Sequence, residues 1–217
     1  MFVQSTIVSF SGSLEKLKIG EQMFGYSKLE QWDVNMPLLW NGDTMFYNCS
    51  NLTTFKSDLT SLTSAWNMFN GCSLLNEVEI TSLENLTDGS NMFKNCNLSY
   101  SSFVDILSKL PNNGGNRTID ITLSDESENE MCSDSRFAGL TIPAVNSGSS
   151  CNYTHDNWTV KLTSKSGFTC IVPSAYDLSE ANGNVIITGE WWNNVGNPNS
   201  LNITHVINGI GYEDINN

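Results

Sequence analysis

Apolar residues recur along the first hundred positions in a register far longer than a helix turn or a strand alternation. Met-Phe stands at Met1-Phe2, Met23-Phe24, Met45-Phe46, Met68-Phe69 and Met92-Phe93, at spacings of 22, 22, 23 and 24 residues. Four positions after each Met comes a small residue, in turn Ser5, Ser27, Cys49, Cys72 and Cys96, and two or three residues later an aliphatic one, Ile7, Leu29, Leu52, Leu75 and Leu98. A larger apolar residue follows at Phe10, Trp32, Phe55 or Val78, and then pairs about three apart: Leu14 and Leu17, Met36 and Leu39, Leu59 and Leu62, Leu83 and Leu86. A unit this short cannot bury its own apolar side chains, but stacked units lay identical positions over one another and make a continuous core. The register therefore predicts a solenoid. The segments around Trp32-Asp33-Val34, Phe55-Lys56-Ser57 and Val78-Glu79-Ile80 alternate apolar and polar, which predicts a short strand in each unit and a parallel ladder between units. The rest of each unit is expected to be loop or irregular turn.

After Cys96 the rhythm changes. Ser99 to Leu110 places Phe103, Ile106, Leu107 and Leu110 on one helical face, with Ser99 or Ser101 as N-cap and Pro111 beyond the end. Thr118 to Leu123 and Trp158 to Leu162 alternate as strands, so residues 99–170 are expected to be longer terminal repeats in which a helix backs the strand. From 171 to 217 the register is lost. Strand-like runs at Asn184 to Trp192 and Leu201 to Ile207, split by the turn-rich NNVGNPNS, predict a small C-terminal β appendage or a tail that orders against a partner.

The motif Met-Phe-x-x-Cys-x-x-Leu-x-x-Phe, as MFYNCSNLTTF from Met45 and more weakly as MFNGCSLLNEV from Met68, resembles the leucine-rich repeats of BspA-like bacterial surface proteins. Similar repeats occur in proteins of gut bacteriophages. The resemblance covers about residues 1 to 123; the first two units depart from it, with Ser5 and Ser27 in the Cys position. It implies a leucine-rich-repeat solenoid and a role in adhesion or recognition, and it carries over no catalytic residue.

Charge narrows the partners. A net charge of -13 with only 10 Lys and Arg is the wrong electrostatics for nucleic acid or an anionic membrane face. No apolar run is long enough to span a bilayer, and the first twenty residues lack a basic segment followed by an apolar one. The sequence reads either as a mature or truncated fragment or as a protein that reaches its site without a leader, as a phage structural protein released by lysis would. Asn-x-Ser/Thr triplets at Asn48, Asn51, Asn85, Asn97, Asn116, Asn152, Asn157 and Asn202 are what an Asn-, Ser- and Thr-rich chain generates by composition.

Candidate chemistry is sparse. Cys49, Cys72 and Cys96 share one repeat position and are expected in the core as a ladder of reduced thiols. Cys132, Cys151 and Cys170 fall at intervals of 19, and one disulfide among them is open, the pairing undetermined. Cys151 and His155 lack partners at metal-ligand spacing. Asp125, Glu126, Glu128 and Glu130 fail the EF-hand pattern, with Glu130 where Gly is required and Arg136 where the bidentate Glu belongs, and read as a solvated acidic loop. Neither His155 nor His205 accompanies a nucleophile motif, so no enzyme, cofactor or metal is expected.

What remains is a surface. The outward positions of the predicted strands are Gln31, Asp33 and Asn35, then Thr54, Lys56 and Asp58, then Glu77 and Glu79. Stacking aligns them into an acidic face that suits a cationic or hydroxyl-rich extended ligand, a basic protein segment or a glycan; such a face can equally be only solvated. Trp191-Trp192 is the second candidate, since neighbours on a strand point to opposite sides and an exposed Trp favours binding. Because Met1 is in phase with Met23, the chain opens within the register, and an uncapped solenoid end is expected to seek a partner or a second copy. The expected setting is a cell surface, the extracellular space or a virion. Two roles follow: a non-catalytic recognition or adhesion module, or a structural assembly protein stacked on another chain.

Overall fold

In each of three successive units the predicted alternation becomes a strand: β1 (Gln31–Asp33), β2 (Thr54–Ser57) and β3 (Glu77–Ile80), paired parallel in that order. Trp32 lies beside Phe55 and Phe55 beside Val78, all three buried, while Asp33, Lys56 and Glu79 align on the exposed side. The computed structural model describes residues 2–171, 177–181 and 184–188, in two units, Met1–Ile171 and Val172–Asn217.

Behind the ladder stands the Met-Phe corner. Phe24, Phe46, Phe69 and Phe93 stack near-parallel with ring centroids 5.6, 5.4 and 5.2 Å apart. Trp32 meets Phe46 edge-on at 4.8 Å and Phe55 meets Phe69 at 4.6 Å, pairs each worth about 0.5–1.5 kcal/mol beyond area burial. Met36, Leu39, Leu59, Leu62, Leu83 and Leu86 close the core on the far side. In the first unit Ile7, Phe10, Leu14 and Leu17 are only partly buried, packed against the core of the layers that follow.

The corner turns on a repeated backbone device. The residue before each Met (Gln22, Thr44, Asn67, Asn91) and the residue three after it (Gln4, Tyr26, Asn48, Gly71, Asn95) take left-handed backbone. Between these two bends the Phe amides point along the stack: Phe24 N donates to Met45 O, Phe46 N to Met68 O and Phe69 N to Met92 O, at 2.9, 2.9 and 3.0 Å. The thiols join the same ladder in the opposite direction. Cys49, Cys72 and Cys96 donate to the carbonyls of Phe24, Phe46 and Phe69.

Beyond the fourth Met-Phe corner the structure departs from the expected irregular loop. Gly89–Leu98, which contains the last Met-Phe, is a strand, β4, because a regular partner now lies beside it. β4 pairs parallel with β5 (Arg117–Leu123), and β5 with β8 (Trp158–Ser164); β7 (Cys151–His155) closes this sheet antiparallel. The predicted helix is α1 (Tyr100–Lys109), with Ser99 Oγ accepting Ser102 N at its start and Phe103, Ile106 and Leu107 buried. The acidic stretch is not all loop: α2 (Ser127–Ser133) begins there and buries Met131, while Asp125, Glu126 and Glu130 stay exposed. Carboxylates at a helix start oppose the positive end of its dipole, which the loop reading overlooked. β6 (Thr141–Ile142) and β9 (Phe168–Thr169) pair antiparallel, and a Cys132–Cys170 disulfide bridges the last turn of α2 to the chain just past β9. Cys151 remains a free, half-buried thiol.

In the second unit β10 (Asp177–Ala181) and β11 (Asn184–Thr188) form an antiparallel hairpin. The strand expected over 184–192 is described as far as Thr188; the run at Leu201 to Ile207 lies outside the described residues.

Candidate functional site

The strand ladder ends at β3, and what covers its open edge shapes the site. Trp32, Phe55 and Val78 follow one another at 23 residues, and the next residue in that series falls within α1. Ser102 Oγ accepts the amide of Val78 at 2.9 Å, so the helix occupies the slot of a fourth strand and satisfies a donor that strand would have taken. Its first turns then rise above the ladder as a wall.

Between wall and ladder lies a groove of about 530 Å³ lined by Gln31, Asp33, Thr54, Lys56, Glu77 and Glu79 from the strands and by Ser101, Ser102 and Asp105 from α1. Its charged lining is four carboxylates, Asp33, Glu77, Glu79 and Asp105, against one ammonium, Lys56. Lys56 Nζ lies 3.0 Å from Glu79 Oε1, and the hydrogen bond to Glu79 holds the lysine above its ordinary value. Both side chains are largely exposed, so the pair orients the two groups and adds little to stability. Lys109 reaches Asp105 at 2.6 Å from the next helical turn.

Of the outward positions predicted from the alternation, six line this groove. Asn35 and Asp58 do not: Asn35 Oδ1 accepts the amide of Asp58, and Asp58 Oδ1 accepts the amide and hydroxyl of Thr60, so both side chains shape the turn after the strand. Trp191 and Trp192 lie outside the described residues. The α1 residues Ser101, Ser102 and Asp105 escaped the sequence reading although a signal existed. Counting one more period of 23 from Val78 lands on Ser101, at the start of the wall.

The groove's polar groups are carboxylates, an amide, hydroxyls and one amine, which can pair and hydrogen-bond with a ligand. Among the described residues no three His, Cys, Asp or Glu side chains converge as metal ligands would. No helix among them is long and apolar enough to cross a membrane.

The family model for the BspA-type leucine-rich-repeat region matches residues 1–117 in six copies. No curated protein and no solved structure matches the chain. The matched span holds all three ladder strands, the Met-Phe corners and α1, more than half of the 217 residues. The chain belongs to the BspA-type leucine-rich-repeat family.

Proposed function

We propose that the chain is a non-catalytic recognition module, a short leucine-rich-repeat solenoid displayed on a bacterial surface or a phage particle, whose ladder groove takes an extended cationic protein segment. The family supports a surface role in protein interaction. The observation that carries the ligand class is the groove's lining, where Asp33, Glu77, Glu79 and Asp105 share the groove with one lysine, already paired with Glu79. Three parallel strands repeat these groups at one strand spacing, about 4.8 Å, so an extended chain can meet one layer after another. Immobilised protein should bind octalysine, more weakly as salt rises, and should not bind heparin. Binding of heparin with no response to octalysine would refute this.

A second reading, assembly on another chain, draws on the first layer, where Phe2, Val8 and Ile19 are exposed beside the partly buried Ile7 and Phe10. An apolar face of this kind is suited to receiving a further layer. Sedimentation of the protein should then show concentration-dependent association that Phe2→Glu with Val8→Glu abolishes; a monomer at every concentration would contradict it.

A further inference from the structure

The opposite side of the stack carries a second candidate site, made from residues that no repeat position calls for. Tyr26, Tyr47 and Trp66 line a cavity of about 320 Å³ together with Val3, Gln22, Gly25, Thr44 and Asn67. Tyr26 and Trp66 are 49% and 47% exposed, a large apolar surface left in water by side chains that the core does not use. The Tyr26 and Tyr47 rings meet edge-to-face at 5.4 Å, and Trp66 comes from the layer beyond.

Local preference argues against these residues being there for the fold. The left-handed position three after each Met is filled by Asn48, Gly71 and Asn95, residues that tolerate it, yet in the first two layers by Gln4 at φ 56° and Tyr26 at φ 58°. The left-handed position before each Met is Asn67 and Asn91 in two layers, but Gln22 at φ 53° and Thr44 at φ 55° in two others, the latter a β-branched residue where such residues are rare. Of these four exceptions, Gln22, Tyr26 and Thr44 border this one cavity. Conflict between local preference and native backbone concentrates at functional sites.

The lining also selects a ligand. In a chain of net charge -13, none of the eight residues around the cavity is Asp, Glu, Lys or Arg. Flat aromatic faces beside amide and hydroxyl groups, without charge, complement a molecule with apolar C–H faces and neutral hydroxyl edges. The cavity extends across four successive layers, from Val3 to Asn67, so it accommodates a chain of rings better than a single one. We infer that this aromatic cleft is a binding site for a neutral oligosaccharide, with pyranose rings stacking on Tyr26, Tyr47 and Trp66 and hydroxyls bonding to Gln22 and Asn67. It is separate from the ladder groove, and its ligand class is different.

The test uses the full chain and the indole N–H resonance of Trp66, assigned through Trp66→Phe. Cellohexaose, xylohexaose, mannohexaose and chitohexaose are titrated separately. At least one should shift the Trp66 resonance saturably, and Trp66→Ala should weaken its binding at least about tenfold, equivalent to about 1.4 kcal/mol. Tyr26→Asn removes the ring while supplying a residue that favours the left-handed backbone, so it should weaken binding without loss of stability. Glu79→Gln, in the groove, should leave it unchanged. No response of Trp66 to any of the four sugars, or binding that survives both Trp66→Ala and Tyr26→Asn, would overturn the assignment.

Discussion

The thiol of Cys72 donates to the carbonyl oxygen of Phe46, 3.1 Å away and one layer back in the stack. Cys49 and Cys96 repeat this bond to Phe24 and Phe69 at 3.1 and 3.2 Å. The small repeat residue therefore both fills a tight gap and ties one layer to the one before it. Cys72→Ala loses a weak donor and a small buried group and should cost about 1–2 kcal/mol, whereas Leu75→Ala leaves a larger cavity and should cost about 2–5. Urea denaturation of the two variants gives the ranking; a Cys72→Ala cost equal to that of Leu75→Ala would mean the leucine column is not the principal packing.

Burial pushes the Cys72 and Cys96 thiols above their ordinary value of 9.0. In the unfolded chain these thiols lose their protons near that ordinary value, while in the folded chain they keep them to higher pH. Below that point both states are protonated and the contribution is intact; as pH rises through it, the unfolded state sheds protons that the folded state retains, and stability falls by up to about 1.4 kcal/mol per pH unit per thiol. The denaturation midpoint should drop between pH 8 and pH 10, less steeply in Cys72→Ala. An identical slope in the variant would contradict a buried protonated thiol.

Cys132 and Cys170, 38 residues apart, are joined, while Cys151 is free. Non-reducing peptide mapping of alkylated protein should therefore yield one cross-linked pair, 132 with 170, and a labelled Cys151. Closing a loop of this length stabilises by about 2–4 kcal/mol through the unfolded state, so Cys132→Ala with Cys170→Ala should lower the denaturation midpoint accordingly. A cross-link through Cys151 would show that the β6–β9 region is packed differently.

The stacked part of the fold was legible because stacking demands the same residue type at the same phase. Trp32, Phe55 and Val78 mark the ladder, and Cys49, Cys72 and Cys96 the thiol column, in the sequence alone. β4 was not legible: Gly89–Leu98 has the same Met-Phe register as the earlier corners, and it becomes a strand only because β5 lies beside it. The disulfide was hidden for a related reason, since equal spacings of 19 residues give no preference and the fold alone decides which Cα atoms come within 4.7 Å. For the groove, alternation supplied six lining positions but not the wall, which depends on α1 taking a strand's place. The aromatic cleft was invisible to a search for register, because Tyr26, Tyr47 and Trp66 occupy three different phases of the repeat.

The claim that the ladder groove recognises a cationic segment is tested most directly by two charge-matched variants. Asp33→Asn, Glu77→Gln and Glu79→Gln together remove three negative charges from the groove; Asp125→Asn, Glu126→Gln and Glu130→Gln remove three from the exposed segment at the start of α2. Octalysine affinity, measured for both and for the unaltered protein at one ionic strength, should fall at least about tenfold in the groove variant, ~1.4 kcal/mol, and stay close to the original in the other. Equal losses in the two variants would show that only the net charge attracts the peptide, and the groove would lose its role.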